Sequence, residues 1–152
     1  MRGGGAGPRP PMFDATGRAG LRRQYLEAWR KLSSGLPLEP LEAQIAAVIE
    51  AHPEYVPLLE TGDAALAAEF APESGRENPF LHMGMHLAIR EQVGTDRPHG
   101  IAGVHARLVR ELGSDHAAEH AMLEALAETL WEAQRAGAAP DEERYLTRLN
   151  RI

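Results

Sequence analysis

Apolar residues in this chain recur at the spacing of a helix and nowhere alternate over a useful length, which restricts it to an all-α fold. Leu21, Tyr25, Ala28, Trp29 and Leu32 form one stripe, which Gly35 and Pro37 bring to an end. Pro40 suits the first turn of a second helix, whose stripe is Leu41, Ile45, Val48, Ile49 and then His52. Pro53 and Pro57 confine residues 53–59 to a short turn-like piece, and residues 63–70 read as a short helix. After a loop over residues 71–77, Asn78-Pro79 pairs an N-cap with proline at the first helical position. The helix it opens should run to about Val93, with Gly94 just beyond its end. Two further helices are expected at 101–112 and 115–135, closed by Gly113 and Gly137, and a last short one opens at Pro140. The expectation is a single compact domain of six to eight helices over residues 12–152. Helix 78–93 should be central, because it is apolar around most of its circumference.

Residues 1–11 carry four Gly and three Pro and little to bury, so a disordered tail is expected there, with Met12 as the start of the patterned sequence. The tail lacks the apolar stretch of an export signal, and the expected location is the cytoplasm. A net charge of −6 disfavours nucleic acid as a partner, and no apolar run approaches the ~20 residues of a membrane span. With no Cys, thiolate metal sites, disulfides and cysteine nucleophiles are all excluded. Neither a phosphate-binding glycine loop nor a nucleophile elbow occurs, so no enzyme class is indicated.

What remains is histidine. His82/His86 and His116/His120 are i, i+4 pairs, each able to present two rings on one helix face. Placed at helical phase, His82 and His86 lie with Met85, Ile89 and Val93. His116, Glu119 and His120 lie with Leu123, Leu126, Ala127 and Leu130. His52 continues an apolar stripe, and His105 falls between Ile101 and Leu108; only His99 falls in a turn. Six histidines therefore face inward in this reading. Glu119 sits amid an apolar face, where an ionised carboxylate needs a partner: an arginine, a protonated histidine or a metal ion.

Two readings follow. In one, neutral imidazoles and a carboxylate hold a divalent transition metal (Zn, Fe, Mn, Ni or Cu) between helices 78–93 and 115–135. Its ligands would be His82, His86, His116 and His120, with Glu119 as ligand or supporting base and His52 as an extra. In the other, the histidines form a buried polar network with Glu119 held by a histidine or by Arg90, and the protein is a non-catalytic interaction module. An unidentified protein partner, or a second copy of the chain, would then meet a surface helix such as the first, with its Arg18, Arg22, Arg23, Arg30 and Lys31. HAAEH matches the inverted zinc-protease string, but 32 residues after His120 leave little room for such a fold. Tyr25, Trp29, Phe80 and Trp131 are expected in the core.

The stretch NPFLHMGMHLAIREQVGTDRPHGI (78–101), with LRRQYLEAWRK (21–31), PLEPLEAQIAAVIEAHPEY (37–55) and HAAEHAMLEALAETLWEAQR (116–135), resembles the DUF1841 family of uncharacterised bacterial proteins. The resemblance covers about Met12 to Ile152 and implies a small bacterial protein but no reaction. His52, His82, His86, Glu119 and His120 lie inside the matching stretches, whereas His99 and His105 depart from the pattern.

Overall fold

The computed structural model describes residues 15–70 and 78–152, with side chains from Gly20 onward. The expected tail at 1–11 and loop at 71–77 lie outside the described residues. Among these, every regular element is helical: α1 (Ala15–Ser34), α2 (Pro40–Glu50), a 3-10 turn (Pro53–Tyr55), α3 (Val56–Leu59) and α4 (Asp63–Ala67) come first. α5 (Pro79–Thr95), α6 (Ile101–Leu112), α7 (Asp115–Ala136) and α8 (Glu142–Asn150) follow. The chain divides into two compact units, the first ending at Phe80 and the second running Leu81–Ile152.

In the first unit α1 packs on α2, α3 and α4. Tyr25 and Ala28 from α1 are buried, as are Ile45, Ala46, Val48 and Ile49 from α2, in line with the two apolar stripes. Pro40 opens α2 as expected, and the turn before it is locked by a capping box in which the Glu39 amide donates to the Glu42 carboxylate at 2.8 Å. α4 is shorter than the expected 63–70. Its closing carbonyls are taken by the guanidinium of Arg22, whose Nη1 donates to Ala65 (3.1 Å), Leu66 (3.3 Å) and Ala68 (2.7 Å).

Arg22 is therefore not part of a solvated basic face. It is 5 % exposed and lies over the Phe80 ring at 4.7 Å. Two more cations of that stretch are matched locally, Arg30 by Glu27 and Lys31 by Glu42.

The second unit has a core of Ile89 from α5, Ile101, Val104 and Leu108 from α6, Ala118, Met122, Leu123, Ala125 and Leu126 from α7, and Tyr145 and Leu149 from α8. α7 lies against both α6 and α8. Ser114 caps α7 by accepting from the Ala117 amide at 3.1 Å, and Gly113 and Gly137 close α6 and α7 with positive φ (94° and 63°), as the sequence predicts. Two boundaries differ from expectation. α5 continues through Gly94 to Thr95, and Asp96 takes the left-handed conformation (φ 51°). An aspartate serves there because its carboxylate has a second task. Oδ1 accepts from the amides of Gly100 and Ala102, both at 3.0 Å, and so caps α6. α8 opens after Asp141 rather than at Pro140, because the Asp141 carboxylate accepts from the Arg144 amide.

The buried face of α7 is rotated from the expected one. Ala118, Ala125 and Thr129 are buried, whereas Ala127 and Leu130 are exposed. Two small residues and a threonine let neighbouring helices approach on that side. Thr129 accepts from Arg148 of α8 at 3.0 Å and donates to the Ala125 carbonyl at 2.8 Å. Trp131, expected in the core, is 55 % exposed with Arg135 over its ring. No helix among the described residues is long and apolar enough to cross a membrane.

Candidate metal centre

α5 presents His82, His86 and Arg90 at successive i+4 positions, and α7 presents His116, Glu119 and His120. The structure brings these side chains together within the second unit. His86 is fully buried and Glu119 is 4 % exposed. His86 Nδ1 and Glu119 Oε1 are 2.8 Å apart. Arg90 Nε donates to the same carboxylate, 3.0 Å from Oε2 and 3.2 Å from Oε1. Burial pushes the Glu119 carboxyl up, but hydrogen bonds from His86 and Arg90, together with the charge of Arg90, outweigh it and hold the group below the ordinary glutamate value. The partner that the sequence requires for Glu119 is thus both a histidine and Arg90.

This bond sets the tautomer of His86. A neutral imidazole has one N–H and one bare nitrogen. With Nδ1–H donated to an ionised carboxylate, His86 presents a bare Nε2. That atom lies 3.2 Å from His82 Nε2, which in turn lies 3.3 Å from His120 Nε2. The ligand nitrogens of the three histidines all fall within 4.8 Å of one another.

His116 joins the cluster differently. Its ring lies nearly flat against that of His86 (11° between planes, centroids 5.4 Å apart) and 4.3 Å from the His120 centroid, so it meets its neighbours through ring faces. Glu119 meets His86 at Nδ1, on the side of the ring away from the nitrogens of His82 and His120. It is placed to orient the His86 ring.

The expectation of six inward histidines holds only in part. His52 and His86 are buried, His82 and His116 are half-buried, and His120 is exposed. The rotation of α7 explains this for His120, since it turns that side of the helix away from the core. His105 is half-buried with Asp115 3.6 Å from its Nε2, and His99 lies in a turn as expected, 2.9 Å from Asp96. His52 belongs to the first unit. α2 ends before it, and its Nδ1 lies 2.8 Å from the Val48 carbonyl, one of those a helix end leaves unused.

From the sequence, Arg90 stands only as a structural partner of Glu119. The signal for a larger part is its position, i+4 from His86 and i+8 from His82 on the same face. No curated protein and no solved structure matches the chain. The model of a domain of unknown function, DUF1841, matches residues 17–151, and the chain belongs to that family.

Proposed function

We propose that the second unit binds a divalent transition metal through the Nε2 atoms of His82, His86 and His120, with Glu119 and Arg90 holding His86 in the ligating tautomer. One observation carries this reading: His82 Nε2 stands 3.2–3.3 Å from two other imidazole nitrogens at once. Such a nitrogen holds at most one proton, so it cannot complete two full hydrogen bonds. A cation uses the lone pairs of all three rings together. Carboxylate–histidine–metal chains of the kind Glu119 and His86 would form raise ligand basicity and fix ring orientation. The all-imidazole donor set suits borderline metals such as zinc, copper, nickel and iron.

The test is elemental analysis of untagged protein, followed by metal titration of the wild type and of His82→Ala and His120→Ala. His120 is exposed, so its loss leaves the metal-free fold intact while metal binding falls. Whether His52 adds a ligand, as expected from the sequence, is tested by the same titration on His52→Gln. A wild type that binds no metal, and that gains no stability from added Zn, Fe, Mn, Ni or Cu, returns the cluster to the polar-network reading.

A further inference from the structure

We infer that the cation of this centre is exchangeable: it enters and leaves on the His120 side, by transfer to a second chelating ligand, so that the protein acts as a carrier that hands its ion on. The inference rests on the metal-binding reading and adds to it a direction of access and a class of partner, one that presents two or more nitrogen donors. Its ground is the unequal burial of the three ligands, together with the groove that lies beside the most exposed of them.

The three rings are held to different degrees. His86 is fully buried, and its Nδ1 lies 2.8 Å from a Glu119 carboxylate that also takes Arg90. His82 is half-buried, on the same face of α5 one turn earlier. His120 is exposed, in the second turn of α7. A buried ring cannot swing out without opening the helices around it, whereas an exposed side chain changes rotamer in picoseconds to nanoseconds. Of the three bonds to the cation, the one from His120 is therefore the first to break.

The structure also supplies room for what replaces it. A groove of about 450 Å³ between α7 and α8 is lined by His120, Ala121, Glu124, Glu128 and Arg148. Glu124 and Glu128 are exposed and follow His120 at one-turn intervals along α7. Arg148 is engaged by Thr129, Glu128 and Glu132, so its charge is matched. The balance of the groove beside His120 is acidic, which favours passage of a cation along it.

In the exchange, a lone pair of the incoming donor forms a bond to the cation as the bond from His120 Nε2 breaks, and His120 keeps its lone pair. The bonds from His82 and then His86 pass over in turn. No electron and no proton has to move, since the imidazoles are neutral before and after. A structural site behaves otherwise, because its ligands close around the ion and release waits for the fold to open.

The experiment loads full-length protein with zinc and mixes it, in a stopped-flow instrument, with excess of a chromogenic pyridylazo chelator. The release rate should rise about tenfold over a tenfold range of chelator, as a bimolecular step requires, and should not respond to urea below the unfolding transition. Glu124→Trp sets a bulky ring one turn from His120 and should slow release severalfold while zinc affinity at equilibrium is unchanged. A rate independent of chelator concentration overturns the inference and leaves the metal-binding reading standing. So does a Glu124→Trp variant that releases zinc as fast as the wild type, since the ion would then leave by another side. If the protein binds no zinc at all, both readings fall together.

Discussion

Arg22 in the first unit and Glu119 in the second are charged side chains with little exposure, and they are held by partners of different kinds. Arg22 gives its Nη1 to three main-chain carbonyls at the end of α4. Glu119 is held by two side chains, His86 and Arg90. The two buried histidines repeat the contrast, since His52 uses a backbone carbonyl and His86 a carboxylate. Main-chain partners belong to the fold, and a cation that caps a helix end has done its work once the helix is in place. Side-chain partners are an arrangement that the backbone does not require. A carboxylate fixing the tautomer of one ring in a group of four has chemical consequences that a helix cap lacks.

The largest expected effect lies on the second unit. Free zinc about a thousandfold above its Kd should stabilise the folded protein by about 4 kcal/mol, read as a rise in melting temperature that EDTA reverses. The comparison breaks if no rise occurs.

Next comes Arg22→Met, which keeps much of the buried stem but leaves the α4 carbonyls without their cation. It should destabilise by about 3 kcal/mol in urea titration and speed amide exchange in residues 63–68, with zinc affinity per folded molecule unchanged. Glu119→Gln should do the reverse. Stability without metal falls by about 1–2 kcal/mol, as a charge-assisted contact becomes a neutral one, while zinc affinity falls about 10–100-fold. If both substitutions moved stability and affinity alike, the distinction between main-chain and side-chain partners would carry no functional meaning.

The smallest effect concerns Asp96. Hydrogen bonds from the Ala102 and Gly100 amides hold its carboxyl below the ordinary aspartate value, against a modest effect of burial. A folded-state pKa below the unfolded one means that its stabilisation is present above the usual aspartate range and is lost as pH falls through the folded-state value. Asp96→Asn should therefore flatten a small part of the acid-side loss of stability and leave zinc binding unaltered. An unchanged acid limb would show that the charge on Asp96 contributes nothing to stability through the α6 cap.

Much of the architecture is legible from residues alone. Ser114, Gly113, Gly137 and Pro40 mark helix ends because their constraints are local, a side-chain oxygen within reach of an amide or a backbone angle that other residues adopt only under strain. Asp96 is harder to read, since its contacts with Gly100 and Ala102 depend on the whole turn between α5 and α6. The i, i+4 histidine pairs and the need of Glu119 for a partner also follow from helical phase and the cost of burying charge.

Which face of α7 enters the core could not be read in the same way. By phase, Ala127 and Leu130 are as fit for burial as Ala118 and Ala125, and more apolar than Thr129. The packing of α6 and α8 against α7 chose the smaller residues, set Trp131 at the surface, and moved His120 to the rim.

Residue order alone specifies an all-α chain, most of its helix ends, two i, i+4 histidine pairs and a carboxylate that has to be matched. The packed fold is what makes Arg22 interior, sets Glu119 against His86, and brings His82 Nε2 within 3.3 Å of two other imidazole nitrogens. The division follows from range. Periodicity and capping involve residues a few positions apart, whereas the nitrogen separations depend on how α5 and α7 are set by side-chain packing, to a fraction of an ångström that no one-dimensional pattern records.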